Sequence, residues 1–201
     1  QSSTIYVVGE SHCLPGANRT VKLMNESYCI KSRIIIGCKA WHLANGQLNE
    51  YKKIFKVIAD SIPKDGTVIL TIGEIDCRLN EGIIKFHKST KSDLTNSING
   101  LVHNYIRYIV ENLDSSLRTI IISGVPCISE TYKKRLSNKD ITMLSTVIKA
   151  FNNCLKSVAI SKGFKFLDVY TLTQEDPDNC FIDDNHLTSS AFINAIQTKL
   201  I

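Results

Sequence analysis

Four short segments of this sequence carry residues able to do nucleophilic or acid-base chemistry. They are Gly9-Glu10-Ser11-His12, residues 37–42, Gly73-Glu74-Ile75-Asp76-Cys77-Arg78 and Asp183-Asp184-Asn185-His186. A serine hydroxyl attacks an acyl carbon effectively only when a base takes its proton and a carboxylate fixes the tautomer of that base. Here Ser11 offers the hydroxyl, His186 the base, and Asp183, three residues before the histidine, the carboxylate. Each signal is weak alone, because Ser is a common helix cap and Asp a common first-turn residue. Their weight comes from where the surrounding elements must place them.

Apolar, β-rich runs at residues 4–8, 33–36, 67–72, 119–122 and 164–169 read as five strands. They are apolar almost throughout instead of alternating, as strands covered by helices on both faces are, and the long segments between them suit parallel crossovers. Apolar residues recur at three and four over 48–58, over 94–109 with Ser92 as N-cap, and over 138–161 with Gly163 as C-cap. A last helix begins near Thr188. The pattern predicts one domain over residues 1–201, a three-layer α/β/α sandwich on a five-stranded parallel sheet. Open parallel sheets bind ligands at the carboxyl ends of their strands, where helix N-termini point their N–H groups. Ser11, after the first strand, and His186, before the last helix, then reach one crevice.

At these residues the sequence resembles the SGNH or GDSL-like hydrolases. Their Gly-Asp-Ser block is matched by Gly9-Glu10-Ser11, their second-block glycine by Gly37, their Gly-x-Asn-Asp block by residues 73–76, and their Asp-x-x-His block by Asp183 to His186. The order is right and the span runs from residue 9 to 186. The Gly-Glu-Ile-Asp-Cys-Arg run is similar to a third block found in a subset of bacterial and viral SGNH-like proteins, often in glycan-related settings. The resemblance implies a flavodoxin-like SGNH fold with Ser11 as nucleophile, His186 as general base and Asp183 as its orienting carboxylate. It also implies an oxyanion hole made of the Ser11 N–H, the Gly37 N–H and the side chain at position 75.

Position 75 is isoleucine, which donates no hydrogen bond. Losing one oxyanion donor costs on the order of 100- to 1,000-fold in turnover. Arg78 is the nearest cation in that loop: it either supplies the missing donor or clamps an anionic group of the substrate, or else it forms an ion pair with Glu74 or Asp76. Glu10 replaces the family's Asp with a longer side chain, which puts its role as a loop fastener in question. Trp41, the single tryptophan, follows the oxyanion glycine and either stacks on a sugar ring or acyl chain or packs in the core. The basic stretch 133–135 reads as a lid or a solvated loop.

The expected activity is serine-dependent hydrolysis or transfer of an acyl group, an O-acetyl group of a carbohydrate above all, since the loops at the crevice are rich in polar residues. Hydrolase and transferase share one acyl-serine and differ only in its acceptor. The competing reading, argued from Ile75, is a catalytically weak or inactive SGNH-fold module that binds glycans or protein partners. The chemistry calls for no cofactor and no metal. A glycine-rich dinucleotide fingerprint is lacking.

Composition narrows the partners. The 201 residues are 43% hydrophobic and 21% charged, with a net charge of +5 spread over lysines in many elements. The densest basic stretch, residues 85–91, has no nucleic-acid recognition motif. No apolar run approaches the ~18 residues that span a bilayer. The start, Gln-Ser-Ser-Thr, lacks the regions of a signal peptide and reads as a mature chain or a domain excised from a longer one. Seven cysteines, none in a C-x-x-C pair, favour a reducing, cytoplasmic setting, while sequons at Asn18 and Asn25 favour a secretory or lumenal one. Cys13, Cys38, Cys77, Cys127 and Cys180 fall near one sheet edge, where small residues lining a crowded crevice explain them better than zinc.

Overall fold

The structure is a computed structural model that describes residues 3–201; Gln1 and Ser2 of the amino-terminal Gln-Ser-Ser-Thr lie outside the described residues. Its strands are β1 (Ser3–Gly9), β2 (Thr20–Leu23), β3 (Glu26–Ile34), β4 (Thr67–Thr71), β5 (Thr119–Ser123) and β6 (Lys165–Leu167). Its helices are α1 (Ala40–Ala44), α2 (Glu50–Ser61), α3 (Gly82–Thr90), α4 (Leu94–Asn112), α5 (Glu130–Lys133), α6 (Asn138–Ser161), α7 (Val169–Glu175) and α8 (Ser189–Thr198). Single 3-10 turns cover Ser11–Cys13 and Ile75–Cys77. None of the described helices is long and apolar enough to cross a membrane.

The strands run in the order β2-β3-β1-β4-β5-β6, all parallel except for the edge strand β2. The parallel part thus has the flavodoxin-like order, and the sheet has six strands where the sequence predicts five. The extra strand belongs to a hairpin: β2 pairs antiparallel with β3, and the predicted strand at 33–36 is the tail of a longer strand that ends at Ile34. Its two-residue turn, Met24-Asn25, has positive φ at both positions, 50° and 65°, as hairpin turns matching the twist of their strands require.

Continuous apolar runs occur because both faces of the sheet are covered. Val8, Val68, Leu70, Ile120, Ile122 and Phe166 point into the layer of α1, α2, α3, α4 and α6, while Ile5, Val7, Ile69, Ile121 and Leu167 point into the layer of α7 and α8. The side-chain period of two sorts each strand between the layers. Register then sets the site. Gly9 pairs with Ile34 on one side and Thr71 on the other, so β1, β3 and β4 end level and their following loops emerge side by side. A Cβ on Gly9 would lie 2.7 Å from the Thr71 carbonyl oxygen, so only glycine lets the strands approach this closely just before the serine.

Candidate active site

The turn after β1 carries Ser11 and is fastened by Glu10. Glu10 is buried, and its carboxylate accepts the main-chain N–H of His12 at 3.2 Å and the Nδ1–H of His12 at 2.7–2.9 Å. The longer acid in the first block therefore still fastens the loop. Burial raises the Glu10 carboxyl, but the bonds and charge of His12 and the bond from Ser11 outweigh it and hold the group below the usual carboxylate range.

His186 arrives from the other end of the chain. The Ile182 N–H donates to the His186 carbonyl at 2.9 Å and the Thr188 N–H to the Cys180 carbonyl at 2.8 Å, which makes residues 183–186 the tip of a tight hairpin. Thr188 then caps α8 by accepting the Ala191 N–H. Within the tip, Asp183 Oδ1 accepts the N–H groups of Asn185 and His186 at 2.8 and 2.7 Å, and Oδ2 lies 2.7 Å from His186 Nδ1. Burial acts against the charge on Asp183, yet these donors keep its carboxyl below the ordinary value. On the far side of the ring, His186 Nε2 is 2.8 Å from Ser11 Oγ. The structure thus brings Ser11, His186 and Asp183 into one hydrogen-bonded line, while Asp184 turns away to an ion pair with Arg135.

Gly37 lies in a turn closed by the Cys38 N–H donating to the Ile35 carbonyl at 3.1 Å, and its φ of 69° is the conformation such a turn requires at its third residue. Among the described residues, neither the Ser11 N–H nor the Gly37 N–H has an acceptor. Two donors of the expected oxyanion hole are thus free. Ile75, buried, offers no third one.

Arg78 does not fill that gap, and here the structure corrects one expectation. Its guanidinium grips Glu74 through Nε at 3.0–3.1 Å and Nη2 at 2.8 Å, with Glu81 3.8 Å from Nη1. Of the pairings open in the sequence, that with Glu74 forms and that with Asp76 does not. Asp76 is itself fastened elsewhere: it is fully buried and accepts the N–H groups of Ala40 at 2.7 Å and Trp41 at 3.0 Å, capping α1 from the neighbouring loop. Asp76, which the sequence places in a polar loop facing the crevice and so among the substrate-binding candidates, is instead a buried capping carboxylate that is not open to substrate. Trp41 is 55% exposed and lines, with Lys85, Phe86 and Leu101, a groove of about 610 Å³ over α1, α3 and α4; it packs neither in the core nor on the wall of the cavity at the 183–186 tip.

That cavity, of about 270 Å³, adjoins the hairpin tip through Asp184 and Asn185. Its apolar wall includes Val125, Ile128, Leu144 and Ile148, and the Glu74–Arg78 pair forms its polar side. Sequence reasoning missed these wall residues because apolar side chains in a helix stripe or a Val-Pro loop look like core. Of the basic stretch 133–135, Arg135 reaches the site by pairing with Asp184; just before the stretch, Tyr132 lines the cavity and Ser129 Oγ donates to the Asp184 carbonyl at 2.9 Å. All seven cysteines are free thiols, and no group of three or more metal-ligating side chains occurs among the described residues.

No family model matches the sequence, and no curated protein is detectably similar to it. Solved structures are similar over nearly the whole chain. An extracellular lipase from Streptomyces rimosus superposes with a TM-score of 0.60 at 12% identity, covering 98% of this chain and 100% of its own. A catalytic mutant of an acetylxylan esterase from Geobacillus stearothermophilus gives 0.59 at 15% identity, over 98% and 95%. Phospholipase A1 from Streptomyces albidoflavus gives 0.58 at 11%, over 99% and 100%. The chain has the SGNH/GDSL-like hydrolase fold.

Proposed function

We propose that the protein is a serine esterase of the SGNH type. The observation that carries this reading is the Ser11–His186–Asp183 line, with 2.8 and 2.7 Å between successive groups, beside two main-chain N–H groups without acceptors. In the proposed reaction Ser11 Oγ attacks an ester carbonyl while His186 Nε2 takes its proton, and Asp183 stabilises the imidazolium that forms. The tetrahedral oxyanion lies against the N–H groups of Ser11 and Gly37. Collapse expels the alcohol, which takes the proton back from His186. The acyl-serine is then attacked by water that His186 deprotonates, and the acid leaves with Ser11 restored. Transfer to a second hydroxyl instead of water would use the same steps.

The substrate class we propose is a short-acyl ester of a carbohydrate. The cavity at the hairpin tip, lined there by Asp184 and Asn185 and not by the triad side chains themselves, is smaller than the ~300–1,000 Å³ usual for drug-sized ligands. It has one charged side, which suits a small acyl group or a single sugar ring better than a long alkyl chain. The acetylxylan esterase among the structural neighbours is a precedent for such an ester on this fold. The alternative, a binding module with little turnover, draws on one observation, the missing third donor at Ile75. Hydrolysis rates on acetylated xylo-oligosaccharides and on long-chain aryl esters, each with Ser11→Ala as control, test the proposal. Faster acetyl release from the sugar, abolished in Ser11→Ala, is expected; faster turnover of long chains contradicts the carbohydrate assignment, and no turnover of either favours the binding module.

A further inference from the structure

Next to the proposed base lies a second histidine with no part in the acyl chemistry. His12 is 8% exposed, and its ring stacks on that of His186 with centroids 4.6 Å apart and planes 26° from parallel. Both nitrogens of His12 face groups that can only accept: Nδ1 faces the Glu10 carboxylate at 2.7–2.9 Å, and Nε2 faces the Asn185 carbonyl at 3.1 Å. A neutral imidazole carries one N–H and would set a lone pair against one of these acceptors, whereas the imidazolium satisfies both. Beyond Nε2, the Glu74 carboxylate stands at 3.9 Å and is in turn held by Arg78.

We infer that His12 is held as an imidazolium against the face of His186, and that its fixed positive charge weakens His186 as a base, so that Nε2 is kept clear of solvent protons at neutral pH while Asp183 still supports the imidazolium that forms when Ser11 gives up its proton. His12 is in these terms a positioning residue acting through His186, and the inference rests on the esterase reading. The need for it arises at Ser11, whose hydroxyl lies 2.9 Å from Glu10 Oε2 as well as 2.8 Å from His186 Nε2. With His186 protonated, its Nε2–H donates to Ser11 Oγ and the single serine proton turns to Glu10, which leaves no base for attack. A like charge within ~4–6 Å disfavours that state.

The remaining charges facing the two rings are accounted for. Asp183 favours a proton on His186, Glu10 and Glu74 favour the charge on His12, Arg78 offsets Glu74, and Asp184 is paired with Arg135. Burial disfavours a charged His12, but the hydrogen bond and charge of Glu10, with Glu74 and the Asn185 carbonyl, outweigh it and hold its pKa above the ordinary histidine value.

The test has two arms. In wild-type protein with 15N-labelled histidine, both ring nitrogens of His12 are expected to stay protonated at pH 7.5, where an ordinary histidine is neutral; a neutral tautomer there overturns the inference even if no variant folds. In His12→Gln, whose amide still donates to Glu10, the acid limb of kcat/KM for p-nitrophenyl acetate should move up by about one pH unit, the effect of a neighbouring charge at this distance. A lower kcat with an unmoved acid limb means that His12 is merely structural. If wild type neither turns over the ester nor reacts at Ser11, the esterase reading fails while the charge on His12 stands or falls on the first arm.

Discussion

The carboxylate of Asp76 accepts the main-chain N–H of Trp41 at 3.0 Å, so the loop after β4 caps the helix that follows the Gly37 turn. Burial pushes the Asp76 carboxyl up from 3.8 to about 6, against the two hydrogen bonds that favour its charge. The folded state therefore holds this proton more tightly than the unfolded chain does. The stability contributed by the group is full below about pH 4 and is lost as pH rises through about 6. Fluorescence of Trp41, the single tryptophan, should show a step with a midpoint of about 6 that is absent in Asp76→Asn. A step surviving in that variant would assign it elsewhere, with His42, edge-on to Trp41 at 5.5 Å, the first candidate.

Ile75→Asn should return the third oxyanion donor. The position is 8% exposed and the new side chain is no larger than the old, so the fold has room for it. Turnover of a p-nitrophenyl ester is expected to rise about 10- to 100-fold, somewhat less than the loss seen when such a donor is removed from an optimised site. Unchanged turnover would show that side chain 75 does not reach the oxyanion.

Arg78 is expected to matter for stability and substrate binding more than for turnover. Removing it strands the Glu74 carboxylate, whose side chain is only 11% exposed. Arg78→Ala should lower Tm and raise KM while changing kcat less than about 10-fold, because no transition-state bond is lost. A cycle with Glu74→Gln should give a coupling of about 1 kcal/mol. A 100-fold fall in kcat with Tm unchanged would return Arg78 to the catalytic group.

The hairpin turn offers a cleaner stability test. Met24 is 73% exposed and held at a φ of 50°, a conformation that costs a non-glycine residue about 1 kcal/mol. Met24→Gly should raise the unfolding free energy in urea by up to about that amount. A loss would mean that the Met24 side chain contributes contacts or that unfolded-chain entropy prevails.

That same turn explains what the sequence hides. Strands β1, β4 and β5 are legible because both faces are covered and their central residues, Ile5 to Val8, Val68 to Leu70 and Ile120 to Ile122, are apolar without a break. The hairpin of β2 and β3 lies at the sheet edge, carries Lys22, Lys31 and Arg33 among its apolar residues, and turns through Met-Asn with no glycine to mark it. Helices α1, α3, α5 and α7 are too short or too polar to show a stripe, whereas α2, α4, α6 and α8 are legible to within a few residues. At the site, the spacing of Asp183 and His186 is a local fact that survives folding. The partner of Arg78 and the capping duty of Asp76 depend on which loops meet, and a list of charges does not contain that. His12 looks like one more polar rim residue until its two acceptors, one local and one 173 residues away, are seen together.

The most direct test of the account is whether Ser11 is a nucleophile. Incubation of the protein with a fluorophosphonate, followed by peptide mass analysis, should place one phosphonyl group on Ser11. Labelling should be abolished by Ser11→Ala and strongly slowed by His186→Ala. Absence of labelling in wild-type protein whose fold is intact, or labelling that persists at another residue in Ser11→Ala, would contradict it.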